Sequence, residues 1–448
     1  MKRENGRQKI LWRMLALALV FGLVLAGCNG EEDPGYSTYH KTINVAMINA
    51  TYPVLSFALS IFEINEDPTF VAIERKNTFD YTKLPENVYL LPGATKSGNT
   101  NFFDIDKPAY INFVTGQYLA DKETKFNLYL CDRLMGLILY GMVANGIPET
   151  NYTVTMYLDG AVYQPANRYS ADSDPQSLYD KDCADVRTAF EKAAVGDTSW
   201  TDLFYHPDSR FELDLYYPLA VLNRLDNIVW NIHNIEAFKD AMPEVLRDEV
   251  QAFIDTGKIQ EKTIVQQVNA VKDSGKMTEL EYMLKLRWGE AESESVVAQF
   301  DKDNAKKTLL VLGTYTNLEQ TTTQSQAGAV LIPDLLEQVK NRYEAEYNLF
   351  YKGHPQTPTD SPKLNSLNTM GFTDLPTTIP AETMMLFYDN VYVGGYPGST
   401  FVSSAAGQTV FSFGPKSVLE AVAGIEMENF ADTEYIYYDS SSWHIRKE

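Results

Sequence analysis

The stretch Thr42-Ile43-Asn44-Val45-Ala46-Met47-Ile48 decides the fold. It is a short apolar run that passes directly into a segment whose apolar positions Leu55, Ala58 and Phe62 recur at helical spacing. A buried strand handing over to an amphipathic helix is the building unit of an α/β sheet. Working outward, Phe70-Val71-Ala72-Ile73, Val88-Tyr89-Leu90-Leu91 and Phe126-Asn127-Leu128-Tyr129-Leu130 repeat the apolar run. After the last, a helix is expected, capped by Asp132, with Leu134, Leu137, Ile138 and Met142 on its buried face. The next strand, 152–158, runs into Asp159-Gly160. From about 175 to 300 the pattern turns helical, at Val186, Phe190 and Ala193 and again at Val245, Val250, Phe253 and Ile254, and reads as a mostly helical insertion. A charged stretch at 301–307 marks a boundary, and Thr308-Leu309-Leu310-Val311-Leu312 opens a second α/β unit. Pro333 suits the first turn of a helix with Leu335, Leu336, Val339 and Tyr343 inward.

Composition bounds the class. With 448 residues, 44% hydrophobic and 12% aromatic, the chain has material for two or three packed domains. Lys2, Arg3, Arg7, Lys9 and Arg13 precede an apolar stretch at 14–26, too short for a comfortable membrane span, which reads as a targeting signal. Leu25-Ala26-Gly27-Cys28 resembles the bacterial lipobox, so Cys28 is the expected lipidation site; an ordinary secretory signal or an uncleaved anchor is the alternative. The expected location is the bacterial cell membrane, lipid-anchored and facing away from the cytoplasm. Loss of residues 1–27, with five basic residues and one acidic, takes the formal charge from −22 to −26. Such a body lacks the basic footprint of a nucleic-acid binder, and an anionic substrate needs a local basic or donor-rich pocket. Cys131 and Cys183 are the cysteines left besides Cys28, and the five histidines are scattered without metal-ligand spacing.

The candidate chemistry sits at strand ends. Tyr347, Leu349, Phe350 and Tyr351 read as a strand, which Gly353 and Pro355 force to turn, leaving Lys352 and His354 at its end. In open α/β sheets such loops border the ligand crevice, where a histidine can donate to a phosphate oxygen and glycine lets the backbone approach. Asp159 ends a strand of the first unit, and Ser399-Thr400 follow Gly394-Gly395 in a loop able to hold an anion. A carboxylate base from one unit and phosphate ligands from the other are what glycosyl transfer from a nucleotide sugar requires. Read singly, Asp159-Gly160 and Gly353-His354-Pro355 are also ordinary turn sequences. Their order along the chain is what favours a site.

Taken in that order, Tyr157-Leu158-Asp159-Gly160, Phe350 to Pro355, Ala381-Glu382-Thr383-Met384-Met385 and Val393-Gly394-Gly395 through Ser399-Thr400 resemble the bacterial sialyltransferases of glycosyltransferase family 80. The resemblance implies an α/β fold of GT-B type: two Rossmann-like domains facing across a cleft. The expected division is a signal at 1–27, a tether at 28–40, an acceptor-side domain at 41–304 carrying the helical insertion, and a nucleotide-binding domain at 305–448 whose last segment packs back on the first. It also implies inverting transfer of sialic acid from CMP-sialic acid to a galactose-type acceptor, with no required metal and no other cofactor. Asp159 would be the general base, and His354 would bind the CMP phosphate beside Lys352 and Gly353. Glu382 would bind the ribose, Ser399 and Thr400 would complete the phosphate grip, and Gly313 and Thr314 would lie against the nucleotide. Asn49 and Asp132 would line the acceptor side. The chain departs from the motif at Leu158, where the family has an acidic residue, at Ala161 for serine, at Asn317 for tryptophan, and at Asp132, about where relatives carry histidine. The rival reading is a sugar- or solute-binding lipoprotein without catalysis, which has no need of a base facing a phosphate site.

Overall fold

The computed structural model describes residues 41–64, 66–74, 79–94, 106–132, 135–158, 164–199, 217–287, 300, 305–313, 332–353, 367, 369–377, 379–388, 390–439 and 441–447. The first sheet is built from β1 (Thr42–Ile48), β2 (Thr69–Ile73), β3 (Val88–Leu90), β4 (Lys125–Cys131), β5 (Tyr152–Tyr157), β6 (Ile228–Ile232) and β7 (Ile259–Glu261). Its order is β3-β2-β1-β4-β5-β6-β7, parallel throughout. The second sheet holds β8 (Lys307–Leu312), β9 (Tyr347–Lys352), β10 (Thr373–Leu375), β11 (Val391–Gly395), β12 (Thr409–Phe413), β13 (Glu434–Tyr438) and β14 (Trp443–Arg446). Its order, β10-β9-β8-β11-β12-β13-β14, repeats the first, with β14 alone antiparallel. The fold is therefore α/β with two Rossmann-like lobes, the GT-B type.

Parallel strands are covered on both faces, which is why they read as apolar runs. Ile43, Val45 and Met47 of β1 face a cluster with Tyr110 and Val114 of helix Lys107–Ala120. Ala46 and Ile48 face the other side, with Val54, Phe57 and Ala58 of helix Thr51–Ser60. Each such side chain, fully buried, contributes roughly 1.5–3 kcal/mol for the larger residues. Register is fixed by a polar ladder across four strands. Thr153 Oγ1 donates to Asn127 Oδ1 (2.9 Å), Asn127 Nδ2 to Asn44 Oδ1 (2.9 Å), and Asn44 Nδ2 to Thr69 Oγ1 (3.1 Å). Slipping β2 or β4 by one residue would break a side-chain hydrogen bond of the fully buried Asn44.

The segment after residue 175 is rich in helix, as expected: Pro175–Ala194, Pro218–Arg224, Ile235–Ala241, Glu244–Asp255, Ile264–Asp273 and Met277–Met283. It is not only an insertion, because β6 and β7 arise within it and extend the first sheet. Val245, expected inward, is 53% exposed, whereas Val250 and Phe253 are buried. At the other end, β13 and β14 belong to the second sheet. What reaches the first lobe is the 3-10 segment Gly424–Phe430, which lies against helix Ile235–Ala241. Cys131 and Cys183 are both free thiols. The signal, Cys28 and the tether fall outside the described residues; among the described ones no helix is long and apolar enough to cross a membrane.

The lobes share one apolar cluster. Ile264, Val268 and Val271 of helix Ile264–Asp273 lie in it with Phe57 from the first lobe and Met384 and Met385 from the second. Gln267, 1% exposed, locks that helix to helix Thr51–Ser60. Its Nε2 donates to Ser56 O and Ser60 Oγ, both at 2.8 Å, and its Oε1 accepts from Ser56 Oγ at 2.8 Å. Gln267→Ala strips partners from several buried polar atoms, so unfolding free energy in a urea titration should fall by about 2 kcal/mol. An unchanged midpoint would mean that these two helices are held together by apolar packing alone.

Candidate active site

Both sheets reverse their winding direction beside their first strand, between β1 and β4 and between β8 and β11. At such a switch point the flanking connections leave in opposite directions and open a crevice at the carboxyl ends of the strands. The residues at those ends are the candidates.

In the first lobe, Met47 of β1 pairs with Leu130 of β4, so Asn49 and Asp132 stand at matching positions just past the two strands. Both are buried, at 3% and 5% exposure. The Asp132 N–H donates to Tyr157 O at 3.0 Å, and Oδ1 accepts from Cys131 Sγ at 3.6 Å. The helix that follows begins at Met135. The side chain of Asn49 makes no hydrogen bond among the described residues, and its Oδ1 is a buried atom without a partner. Leaving such a group unsatisfied costs about 1–3 kcal/mol, which a ligand would recover. Ala50 follows at φ 61°, ψ 164°, a conformation that only glycine adopts without strain. Its N–H donates to Glu74 Oε2 at 2.9 Å, directly after β2. At the end of β5, Leu158 is 2% exposed and its N–H donates to Asn231 O at 3.2 Å. Asp159, the next residue, lies outside the described residues, as do Gly160 and Ala161. His233, after β6, packs its ring against Tyr52 with centroids 5.6 Å apart.

In the second lobe the strand ends are lined with glycine where neighbouring atoms come close, backbone at Gly395 and aromatic side chains at Gly394 and Gly313. A Cβ on Gly395, at φ 118°, would fall 2.4 Å from Leu312 O, and one on Gly394 would fall 2.3 Å from the Phe411 ring. A Cβ on Gly313 would meet the Tyr351 hydroxyl at 2.3 Å. That hydroxyl is buried with no partner among the described residues. Burial, reinforced by nearby Tyr396 and Asp374, pushes its pKa far up, so it stays a neutral phenol. Glu382 is 3% exposed in the first turn of helix Ala381–Phe387, and Thr400 Oγ1 donates to its Oε1 at 2.7 Å. The structure thus brings Glu382 and Thr400 into contact across 18 residues of sequence. Ser399 opens the four-residue helix Ser399–Val402 beside Thr400.

Lys352 is placed differently from the reading of a cation offered to a phosphate. It is 2% exposed, and Nζ donates to Gly353 O at 2.8 Å and Thr377 O at 2.9 Å. The ammonium clasps the loop after β9 to the loop after β10. Gly353 is hemmed in the same place, a Cβ there meeting Thr377 Cγ2 at 3.0 Å. His354 and Thr314 lie outside the described residues. Among the described residues no group of three or more His, Cys, Asp or Glu side chains is placed to hold a metal ion.

Glu74 and His233 were not marked by the sequence reading. His233 had no strand to end while β6 went unread, and Glu74 shows its role only through a contact with a residue 24 positions away.

No family model and no curated protein matches this chain. Among solved structures, the α/β-galactoside α-2,3-sialyltransferase of the luminous marine bacterium Photobacterium phosphoreum is similar, with TM-score 0.59 at 14% identity over 88% of this chain and 98% of that one. UDP-N-acetylglucosamine 2-epimerase of Rickettsia bellii gives TM-score 0.39 at 11% identity, over 82% of this chain and 76% of that one. A protein of O. sativa bound to UDP and deoxynivalenol-3-glucoside gives 0.42 at 9% identity, over 90% and 88%. The last two scores carry no weight for this chain. The first extends over nearly the whole of both molecules and establishes a common two-lobed fold.

Proposed function

We propose that this protein transfers a sugar from a nucleotide donor, and more specifically sialic acid from CMP-sialic acid to a galactose-type acceptor, with inversion. The observation that carries the proposal is the Thr400–Glu382 hydrogen bond at the second switch point. It joins two positions that the motif order assigns to phosphate and ribose. A buried carboxylate with a hydroxyl beside it can accept from a ribose hydroxyl while the hydroxyl turns to a phosphate oxygen. Glycines 313, 394 and 395 stand at the strand ends of the second lobe, where the proposed nucleotide would lie, and each is packed against the protein's own atoms where a Cβ would be. The fold shared with a sialyltransferase supports the same reading.

In this reading Asp159 takes the proton of the acceptor hydroxyl, and His354 neutralises charge on the departing CMP phosphate with Ser399 and Thr400. Lys352 contributes by clasping the loop that leads into His354. Gly353, Gly313 and Thr314 border the nucleotide, and Asn49 and Asp132 face the acceptor. The reaction needs no metal in this scheme, because protein donors hold the phosphate. Cys28 would carry the lipid that holds the enzyme on the outer face of the cell membrane.

Asp159→Asn should lower transfer by roughly two to four decades, the span for losing a general base, while calorimetry shows CMP bound as in the parent. Turnover at the parental rate would remove the base assignment. His354→Ala should weaken CMP in the same titration, and unchanged affinity would remove its phosphate role. Incubation of the parent with CMP-sialic acid and lactose should yield sialyllactose; a protein that binds sugar but neither nucleotide nor donor would be the solute-binding lipoprotein instead.

A further inference from the structure

Glu74 is bonded to the residues on both sides of Asn49. Its own N–H donates to Ile48 O at 3.0 Å, and its carboxylate Oε2 accepts from the Ala50 N–H at 2.9 Å. The residue between those two anchors, Asn49, is 3% exposed, and its side-chain Oδ1 is buried with no partner among the described residues. Ala50 is held at φ 61°, ψ 164°, where an L-residue does not rest unless its surroundings impose it. The strained turn, the carboxylate that holds it and the buried amide at its centre lie on three consecutive residues and one contact.

We infer that Glu74 is a positioning residue that aims the Asn49 amide at a neutral, hydroxyl-bearing sugar ring in the crevice between β1 and β4. The inference rests on the transferase reading above for the identity of that sugar as the acceptor. Its chemistry follows from the neighbours. An amide both donates and accepts, so it matches a sugar hydroxyl in either role. Asp132 at the matching position on β4 and Glu74 behind Ala50 place carboxylates around it, which disfavours the anionic donor and suits a neutral polyol. Helix Thr51–Ser60, which starts after Ala50, has no side-chain cap. A purely structural role for Glu74 would act on the stability of that turn alone and leave sugar recognition untouched.

The test uses full-chain protein and the variants Asn49→Ala, Glu74→Ala and Glu74→Gln. Lactose KM and kcat are measured at saturating CMP-sialic acid, lactose binding by saturation-transfer NMR, and CMP affinity by calorimetry. Asn49→Ala and Glu74→Ala should each raise lactose KM about tenfold, the loss of one hydrogen bond, with CMP affinity unchanged. Glu74→Gln keeps an oxygen for the Ala50 N–H and should stay within about twofold of the parent. Equal behaviour of the alanine and glutamine variants, or an unchanged KM in Glu74→Ala, overturns the inference and leaves the transferase reading intact. A parent that forms no sialyllactose overturns that reading, and the NMR signal then decides this one. Lactose binding lost in Asn49→Ala and Glu74→Ala but kept in Glu74→Gln supports it, and a parent that binds no neutral galactoside overturns it.

Discussion

Two seven-stranded sheets could hinge freely on one linker, but here they are joined by an apolar seam that draws side chains from both lobes. Helix Ile264–Asp273 is its spine, with Gln267 tied to helix Thr51–Ser60 and its apolar side chains in the same cluster as Met384 and Met385. Helix Ala381–Phe387 also carries Glu382, and Tyr388 just beyond it donates to Glu281 Oε1 at 3.0 Å. Glu281 is in turn paired with Arg287. The ribose-side candidate is thus mounted on the element that meets the first lobe. Domain motion is the default where an interface is small and polar. A seam of this composition packs helix Ile264–Asp273 against elements of both lobes.

The two lobes offer a ligand different things. At the second switch point glycines pack against Leu312, Phe411 and Tyr351, beside one carboxylate–hydroxyl pair. That suits a flat, polyanionic group gripped by N–H donors. The first switch point presents side chains, a buried amide and a carboxylate, on a turn held under strain. That suits a small polyol read hydroxyl by hydroxyl. Lys352 illustrates how firmly the chemistry is set by packing: its ammonium is buried on two carbonyls, so it shapes a loop and adds its charge from within. With a formal charge of −22 over the chain, the proposed nucleotide binding would rely on dipoles and local donors more than on a basic field.

Periodicity and breakers are local, and what depends on them was readable. β1, β4, β5, β8 and β9 are apolar runs bounded by turn residues, and helix Ile332–Tyr343 shows its inward face at Leu335, Leu336, Val339 and Tyr343. The motif order placed Glu382 and Thr400 in one site, and they meet. β6 was hidden because Ile228–Ile232 is brief and flanked by helices, so the surrounding helical period dominated the window. Helix Lys107–Ala120 escaped for a related reason: its buried Tyr110, Val114 and Tyr118 keep helical spacing, but Ile111 and Phe113 between the first two blur the stripe. Val245 fits a helical apolar stripe in sequence yet is exposed, since a stripe is wider than the contact it meets.

The sequence by itself determined the class of fold, because strands buried on both faces must be apolar whatever they pack against, and it determined which strand ends carry polar residues. Only the tertiary structure decided what those residues do. The Ala50 N–H bonds Glu74, Lys352 bonds Gly353 and Thr377, and the Asn49 Oδ1 has no partner among the described residues. Those assignments follow from which strands lie side by side and how closely their ends approach. Distance across a sheet is set by strand order and register, and neither is a property of any window of the chain.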